Sequence, residues 1–259
     1  MRLILMLIVL FVSPAFACGP DSRCEVEGGY YLASPPPDWD GESPLALIVY
    51  FHGWNGSPEG TFRNKSMWRA AHRRGALFIA PYAPYGYWRQ IGEDRAERGR
   101  DEAAYTRAVL ADIRKRWPID ETRTLASGFS RGGSMVWNVA CYVGGFAGYA
   151  PIAGGFWRST PADCPVGAVN MRHIHGLKDG VVAYDEIGVY NSMPVTEGLA
   201  LYRRLNGSEA PETFEQGRFT CERWPGEKTL EVCLHAKGHS IPAEWVAEGL
   251  DWLDEISAP

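Results

Sequence analysis

The apolar residues of this chain fall into short continuous runs separated by amphipathic stretches. Leu45-Ala46-Leu47-Ile48-Val49-Tyr50-Phe51 is the clearest run, closed by His52-Gly53, and others lie at 76–81, 124–128, 148–152, 169–175 and 230–235. Runs of this length without alternation predict strands buried on both faces, the kind found in parallel sheets. Between them the pattern turns helical. The stretch 101–117 places Tyr105, Val109, Ile113 and Trp117 at four-residue steps, begins acidic, ends in Arg114-Lys115-Arg116 and stops at Pro118. The stretch 197–205 ends at Asn206-Gly207, a helix C-cap signature, and 243–256 puts Trp245, Gly249, Trp252, Leu253 and Ile256 on one stripe. Trp68 and Trp137 also sit at helical spacing, which assigns them with Trp245 and Trp252 to the core. Residues 24–44 are rich in Gly, Pro and Asp, and only Tyr30-Tyr31-Leu32 suggests an edge strand. Strands alternating with helices predict an α/β fold: a doubly wound, mainly parallel sheet flanked by helices, with ligands bound beyond the carboxyl ends of its strands.

Length and composition refine this picture. With 259 residues, 46% of them apolar, the chain suits one large domain, expected over 45–259, with 18–44 as an N-terminal extension. Residues 1–17 have the pattern of a secretory signal peptide: a basic start at Arg2, an apolar run from Leu3 to Val12, and an A-x-A ending at Ala15-Phe16-Ala17. The expected location is therefore secreted or periplasmic. Lipidation at Cys18 is the alternative, which Phe16 in the small-residue slot argues against. All six cysteines lie after the expected cut, which favours three disulfides. Fifteen connectivities are formally open, and proximity in the chain suggests Cys18–Cys24, Cys141–Cys164 and Cys221–Cys233. A net charge of −5 argues against nucleic acid or an anionic membrane surface as a partner.

The candidate chemistry begins at Gly128-Phe129-Ser130-Arg131-Gly132, which follows an apolar run and opens a helical pattern. In a strand–turn–helix unit, G-x-S-x-G is a sharp turn that lifts the serine hydroxyl to the top of the sheet and points helix N–H groups at any oxyanion formed there. A serine hydroxyl becomes a good nucleophile only when an imidazole takes its proton and a carboxylate holds that imidazole. In this architecture the chain order is serine, acid, histidine. Asp179, in the Gly-turn loop after the run ending at His175, is the candidate acid, a plain turn aspartate being its alternative. His239, in Lys237-Gly238-His239-Ser240, is the candidate base. His173 and His175 share a strand face and have the spacing of metal ligands, but no third ligand is evident, so a hydrogen-bonded pair is expected instead. His72 reads as a solvated surface group and His235 as part of a strand. The oxyanion donors are expected to be the backbone N–H groups of Arg131 and of Trp54, in the loop after 45–51. Trp54, Trp88 and Trp157 fall in loops that should open on the catalytic face, where they can grip a substrate by apolar contact, core packing being the alternative for each. For the Arg131 side chain a salt bridge to a neighbouring loop is expected.

Taken together, the strand ending in His52-Gly53, G-F-S-R-G-G-S-M from Gly128, H-G-L-K-D-G-V-V from His175 and G-H-S-I-P from Gly238 resemble the polyhydroxybutyrate depolymerase / feruloyl esterase group of secreted α/β-hydrolases, over about residues 45–253. The resemblance implies an α/β-hydrolase fold, a Ser130–Asp179–His239 triad needing no metal or cofactor, an oxyanion hole from Trp54 and Arg131, and hydrolysis of carboxylic esters. Cys141 and Cys164 also resemble a disulfide of that group. The chain departs from the group's usual pattern at Arg131 and at Ser240-Ile241-Pro242, both near the expected pocket. A peptidase on the same fold and a non-catalytic envelope binding protein are the competing functions.

Overall fold

Each apolar run forms a strand. The computed structural model describes residues 18–90 and 99–258; the expected signal peptide, 1–17, lies outside the described residues. Among these, Cys24–Val26 (β1), Gly29–Ser34 (β2), Leu45–Phe51 (β3), Ala76–Pro81 (β4), Ile119–Phe129 (β5), Gly148–Ile152 (β6), Met171–Gly176 (β7), Glu212–Gln216 (β8), Phe219–Trp224 (β9) and Leu230–His235 (β10) make one sheet. Its order is β1-β2-β4-β3-β5-β6-β7-β10-β9-β8. The six strands from β4 to β10 in that order run parallel, and antiparallel strands close both edges. The helices are Pro58–Arg63 (α1), Lys65–His72 (α2), Glu102–Arg116 (α3), Arg131–Tyr142 (α4), Val195–Leu205 (α5) and Trp245–Ser257 (α6).

The continuous apolar run of β3 follows from helices on both of its faces. Leu47, Val49 and Phe51 join a core with residues of α3, α4 and α5, whereas Ala46, Ile48 and Tyr50 join a second core with residues of α2 and α6. Burying each of the larger side chains contributes about 1.5–3 kcal/mol. Trp137, Trp245 and Trp252 are core residues as their spacing implies, and Trp68 is partly buried beside Phe62. No helix among the described residues is long and apolar enough to cross a membrane.

Several elements differ from the sequence expectation. Residues 18–44, expected to stand outside the domain, supply β1 and β2 to the same sheet. Gly28 (φ 85°) turns the chain between them, and Leu32 of β2 pairs with Ala80 of β4. The Tyr31 hydroxyl then donates to Asp112 of α3 at 2.7 Å. Strand β5 begins five residues before its apolar run because Ile119 pairs with Leu45 through a register irregularity. Strand β8 is mostly exposed and polar, so no apolar pattern marks it. His72 is not a solvated surface group: it is half-buried, its Nε2 sits 3.0 Å from the Ser34 carbonyl, and burial lowers its pKa.

All three disulfides join the pairs that lie near one another in the chain: Cys18–Cys24, Cys141–Cys164 and Cys221–Cys233. The last bridges directly opposed residues of β9 and β10. On β7, the buried His173 and His175 hydrogen-bond to each other, Nε2 to Nδ1, at 3.0 Å, and His175 Nε2 donates to the Val182 carbonyl at 2.9 Å. A carbonyl only accepts, so His175 carries its proton on Nε2 and receives the His173 Nε2–H on Nδ1. His175 is therefore neutral, and burial keeps His173 neutral as well. Burial, reinforced by the neighbouring charges that protonation would create, holds His175 down to about 4 and His173 well below the usual histidine value.

Two outcomes follow. Folded-state pKa values below the unfolded value of about 6.5 mean that only the unfolded chain binds these protons between roughly pH 6.5 and 4, so stability falls as pH drops through that window. Urea unfolding of the wild type should lose up to about 1.4 kcal/mol per pH unit per histidine there, and His173→Gln/His175→Gln should flatten the slope. Replacing Cys221 and Cys233 by serine should cost about 3 kcal/mol in the same assay.

Candidate active site

Ser130 occupies the turn between β5 and α4 with φ 56° and ψ −121°. For a residue with a side chain this left-handed conformation costs on the order of 1–3 kcal/mol, and it persists only where packing fixes it. Here the packing is backbone against backbone. A Cβ on Gly128 would lie 2.5 Å from the Gly132 carbonyl oxygen, one on Gly132 would overlap the Phe51 carbonyl, and one on Gly133 would lie 2.5 Å from the Ile152 oxygen. Ser130 N–H donates to Ile152 at 2.9 Å and its own carbonyl receives Ser134 N–H at 2.9 Å, which starts α4. The Arg131 N–H belongs to the first helical turn, where amides have no intrahelical acceptor.

The acid and the base come from two loops that are pinned together. Leu177 N–H donates to His235 and Lys178 N–H to Lys237, and a Cβ on Gly176 would lie 2.6 Å from the Gly238 carbonyl. This close approach sets Asp179 beside His239. One carboxylate oxygen of Asp179 accepts the N–H groups of Val181 (2.8 Å) and Val182 (3.0 Å); the other lies 2.7 Å from His239 Nδ1. Asp179 is thus a turn aspartate and a histidine partner at once. Burial pushes its pKa up, but the hydrogen bonds from His239, Val181 and Val182 outweigh burial and leave it below the ordinary carboxylate value. The carboxylate fixes the His239 tautomer with the proton on Nδ1 and a lone pair on Nε2. The His239 ring packs 4.7 Å from that of Phe129, the residue before Ser130. Among the described residues the Ser130 hydroxyl makes no hydrogen bond; such contacts commonly tighten only when substrate binds.

The loop after β3 runs past the same point. A Cβ on Gly53 would stand 3.7 Å from the Ser130 Cβ, and His52 braces the loop through Nδ1–H to the Gly53 carbonyl at 2.9 Å. Next in the chain, Trp54 is 68% exposed and stacks on Tyr87. Ser130 opens into a cavity of about 620 Å³ whose walls include Trp54, Tyr87 and Trp157. Trp157 Nε1 donates to Ser134 Oγ at 2.8 Å, which fixes its ring.

Trp88 does not line this cavity. It is fully buried, its Nε1 donates to the His52 carbonyl at 2.8 Å, and its ring meets Phe51 edge-on. Tyr87 is extended (φ −146°, ψ 150°), and the side chains on either side of Trp88 go the other way: Tyr87 and Arg89 line the cavity while Trp88 lies in the core. The Arg131 side chain reaches this segment through Nε, which donates to the Trp88 carbonyl at 2.8 Å, and its guanidinium lies 4.8 Å from the centre of the Trp157 ring. Arg89, Arg158, Val181 and Tyr190 also line the cavity, and sequence reasoning missed them. They stand in loops without periodicity; their one signal is position beyond a strand's carboxyl end. All the large apolar side chains exposed among the described residues fall between 54 and 85 or between 177 and 190, in loops after β3, β4 and β7.

No family model matches the chain. In sequence it is 25% identical over 169 residues to a protein of Aspergillus niger named "Probable feruloyl esterase C", and 24% identical over 167 residues to feruloyl esterase C of Emericella nidulans. Each alignment covers 62% of this chain and 58% of the relative, so the chain matches under two thirds of those proteins' length. Among solved structures, the acetyl xylan esterase from Aspergillus awamori superposes with a TM-score of 0.62 at 14% identity, over 84% of this chain and 93% of that one. The chain therefore has the α/β-hydrolase fold and is related in sequence to feruloyl esterases.

Proposed function

We propose that the protein is an exported serine hydrolase of carboxylic esters, acting through an acyl-enzyme on Ser130. The observation that carries this reading is the 2.7 Å hydrogen bond between His239 and a buried Asp179 on loops pinned beside the strained Ser130 turn. His239 Nε2 takes the hydroxyl proton as Ser130 Oγ bonds to the ester carbonyl carbon. The carbonyl oxygen becomes an oxyanion facing the N–H groups of Trp54 and Arg131, donors fixed before reaction. Collapse of this intermediate breaks the bond to the alcohol, which leaves with the proton from His239. Water then attacks the acyl carbon, gives its proton to His239, and Ser130 recovers a proton as the acid is released. Trp54 and Trp157 offer flat apolar walls to the acyl or alcohol group, which suits the aromatic acids named in the relatives. Export rests on the signal-like pattern of residues 1–17 and on three disulfides, which persist in oxidising compartments.

Turnover of p-nitrophenyl acetate tests the roles. Ser130→Ala should leave far-UV circular dichroism unchanged and remove activity by about 10⁴-fold or more, and Asp179→Asn should cost about 10³–10⁴-fold by losing the His239 tautomer. Full turnover in Ser130→Ala would remove the proposal.

A further inference from the structure

We propose that His175 is a positioning residue for the reaction: it holds the turn that carries Asp179, and through that turn it sets the orientation of the Asp179 carboxylate toward His239. This rests on the triad reading above and deepens it. Residues 179–182 form a turn closed by the Asp179 side chain, whose Oδ1 receives the N–H groups of Val181 at 2.8 Å and Val182 at 3.0 Å. The carboxylate is thereby tied to the turn, and whatever fixes the turn also fixes Oδ2, which lies 2.7 Å from His239 Nδ1. The incoming side is anchored by backbone alone: Leu177 N–H donates to His235, Lys178 N–H to Lys237 and Asp179 N–H to Gly176. On the outgoing side Val182 is fully buried, and its carbonyl accepts from His175 Nε2 at 2.9 Å, which joins the turn to β7. The same Nε2 stands 3.6 Å from Asp179 Oδ2, so its N–H dipole lies beside the oxygen that His239 binds.

His175 is itself held where such a role requires. It is fully buried on a strand paired on both sides, opposite Leu234 of β10. Its Nδ1 accepts from His173 Nε2 at 3.0 Å, and the Tyr184 ring, carried by the same loop as Asp179, lies 5.6 Å from its own. Two hydrogen bonds to opposite ring nitrogens fix both the rotation and the tautomer of the imidazole. An apolar side chain could fill this space as well, but it would leave the Val182 carbonyl without a donor in the interior, which is costly. An unbroken line of hydrogen bonds thus runs from His173 through His175 and Val182 to Asp179 and His239. A reacting group displaced by about 1 Å can lose about 100-fold in rate, so a support of this kind bears on catalysis and not on folding alone.

The test is a double-mutant cycle, read as the rate at which an alkyl fluorophosphonate labels Ser130 and followed by intact mass over hours so that slow variants remain measurable. His175→Asn keeps a polar side chain whose amide stops short of Val182, whereas His175→Gln places an amide N–H near the position of Nε2. His175→Asn should slow labelling by about 10–100-fold, the range for groups that orient a reacting residue from behind, and His175→Gln should recover most of the rate. In an Asp179→Asn background the same His175→Asn change should cost less than about twofold, because residues that act through one another do not add. An equal cost in both backgrounds, wild-type labelling in His175→Asn, or a glutamine variant no faster than the asparagine one overturns this inference and leaves the hydrolase reading intact. Loss of the folded state in both His175 variants, seen by far-UV circular dichroism, marks a packing role and overturns it too. A wild-type protein that is not labelled at Ser130 ends both readings.

Discussion

The structure depends on close approach of backbone to backbone at the carboxyl ends of the central strands. Gly128, Gly132 and Gly133 leave no space for a side chain between β5, β3 and β6, and Gly176 leaves none between β7 and the loop after β10. Where the chain is packed this tightly, the single residue that does carry a side chain at the turn, Ser130, is forced into a left-handed conformation and outward. The same principle brings the acid and base loops together before any side chain is considered. Hydrogen bonds between backbones at 177–178 and 235–237 set the separation of Asp179 and His239, and the 2.7 Å contact follows from it.

At this rim two buried histidines stay neutral while a buried carboxylate stays ionised. His173 and His175 stay uncharged on β7 because burial makes protonation costly, and their hydrogen bonds run toward the Asp179 loop through the Val182 carbonyl. Asp179 is buried as well, yet remains ionised because three donors face it. Further out the cavity wall alternates aromatic rings with guanidinium groups, with Arg131 held over Trp157. The left-handed residues that carry side chains, from Asn55 to Asn191, stand in loops after strand ends, so backbone strain gathers on the face that holds the cavity.

The interior of the sheet was legible because a strand packed between two helical layers must be apolar at every position, as β3 is. The edges were legible only in part. Tyr30-Tyr31-Leu32 marked β2 inside a Pro-rich segment, whereas β8 is stabilised by pairing with β9 rather than by burial and carries no apolar pattern. In the candidate site, Ser130, Asp179 and His239 could be named because glycines flank each loop that presents them. Trp88 was misplaced by one residue, since whether an extended loop directs a given side chain inward depends on its phase, which composition does not reveal; Tyr87 and Arg89 hold the places assigned to it. Tyr190 and Arg158 were invisible for a related reason: they line one cavity from two loops that are distant in the chain and joined by an isolated β-bridge.

The central claim is that the β5–α4 turn presents a serine activated by His239. It is tested most directly by treating the protein with an alkyl fluorophosphonate, measuring the intact mass, and mapping the adduct by peptide sequencing. The account predicts a single phosphonyl group, on Ser130, formed much more slowly in His239→Gln. An adduct on another residue, or none after prolonged exposure of folded protein, would contradict it.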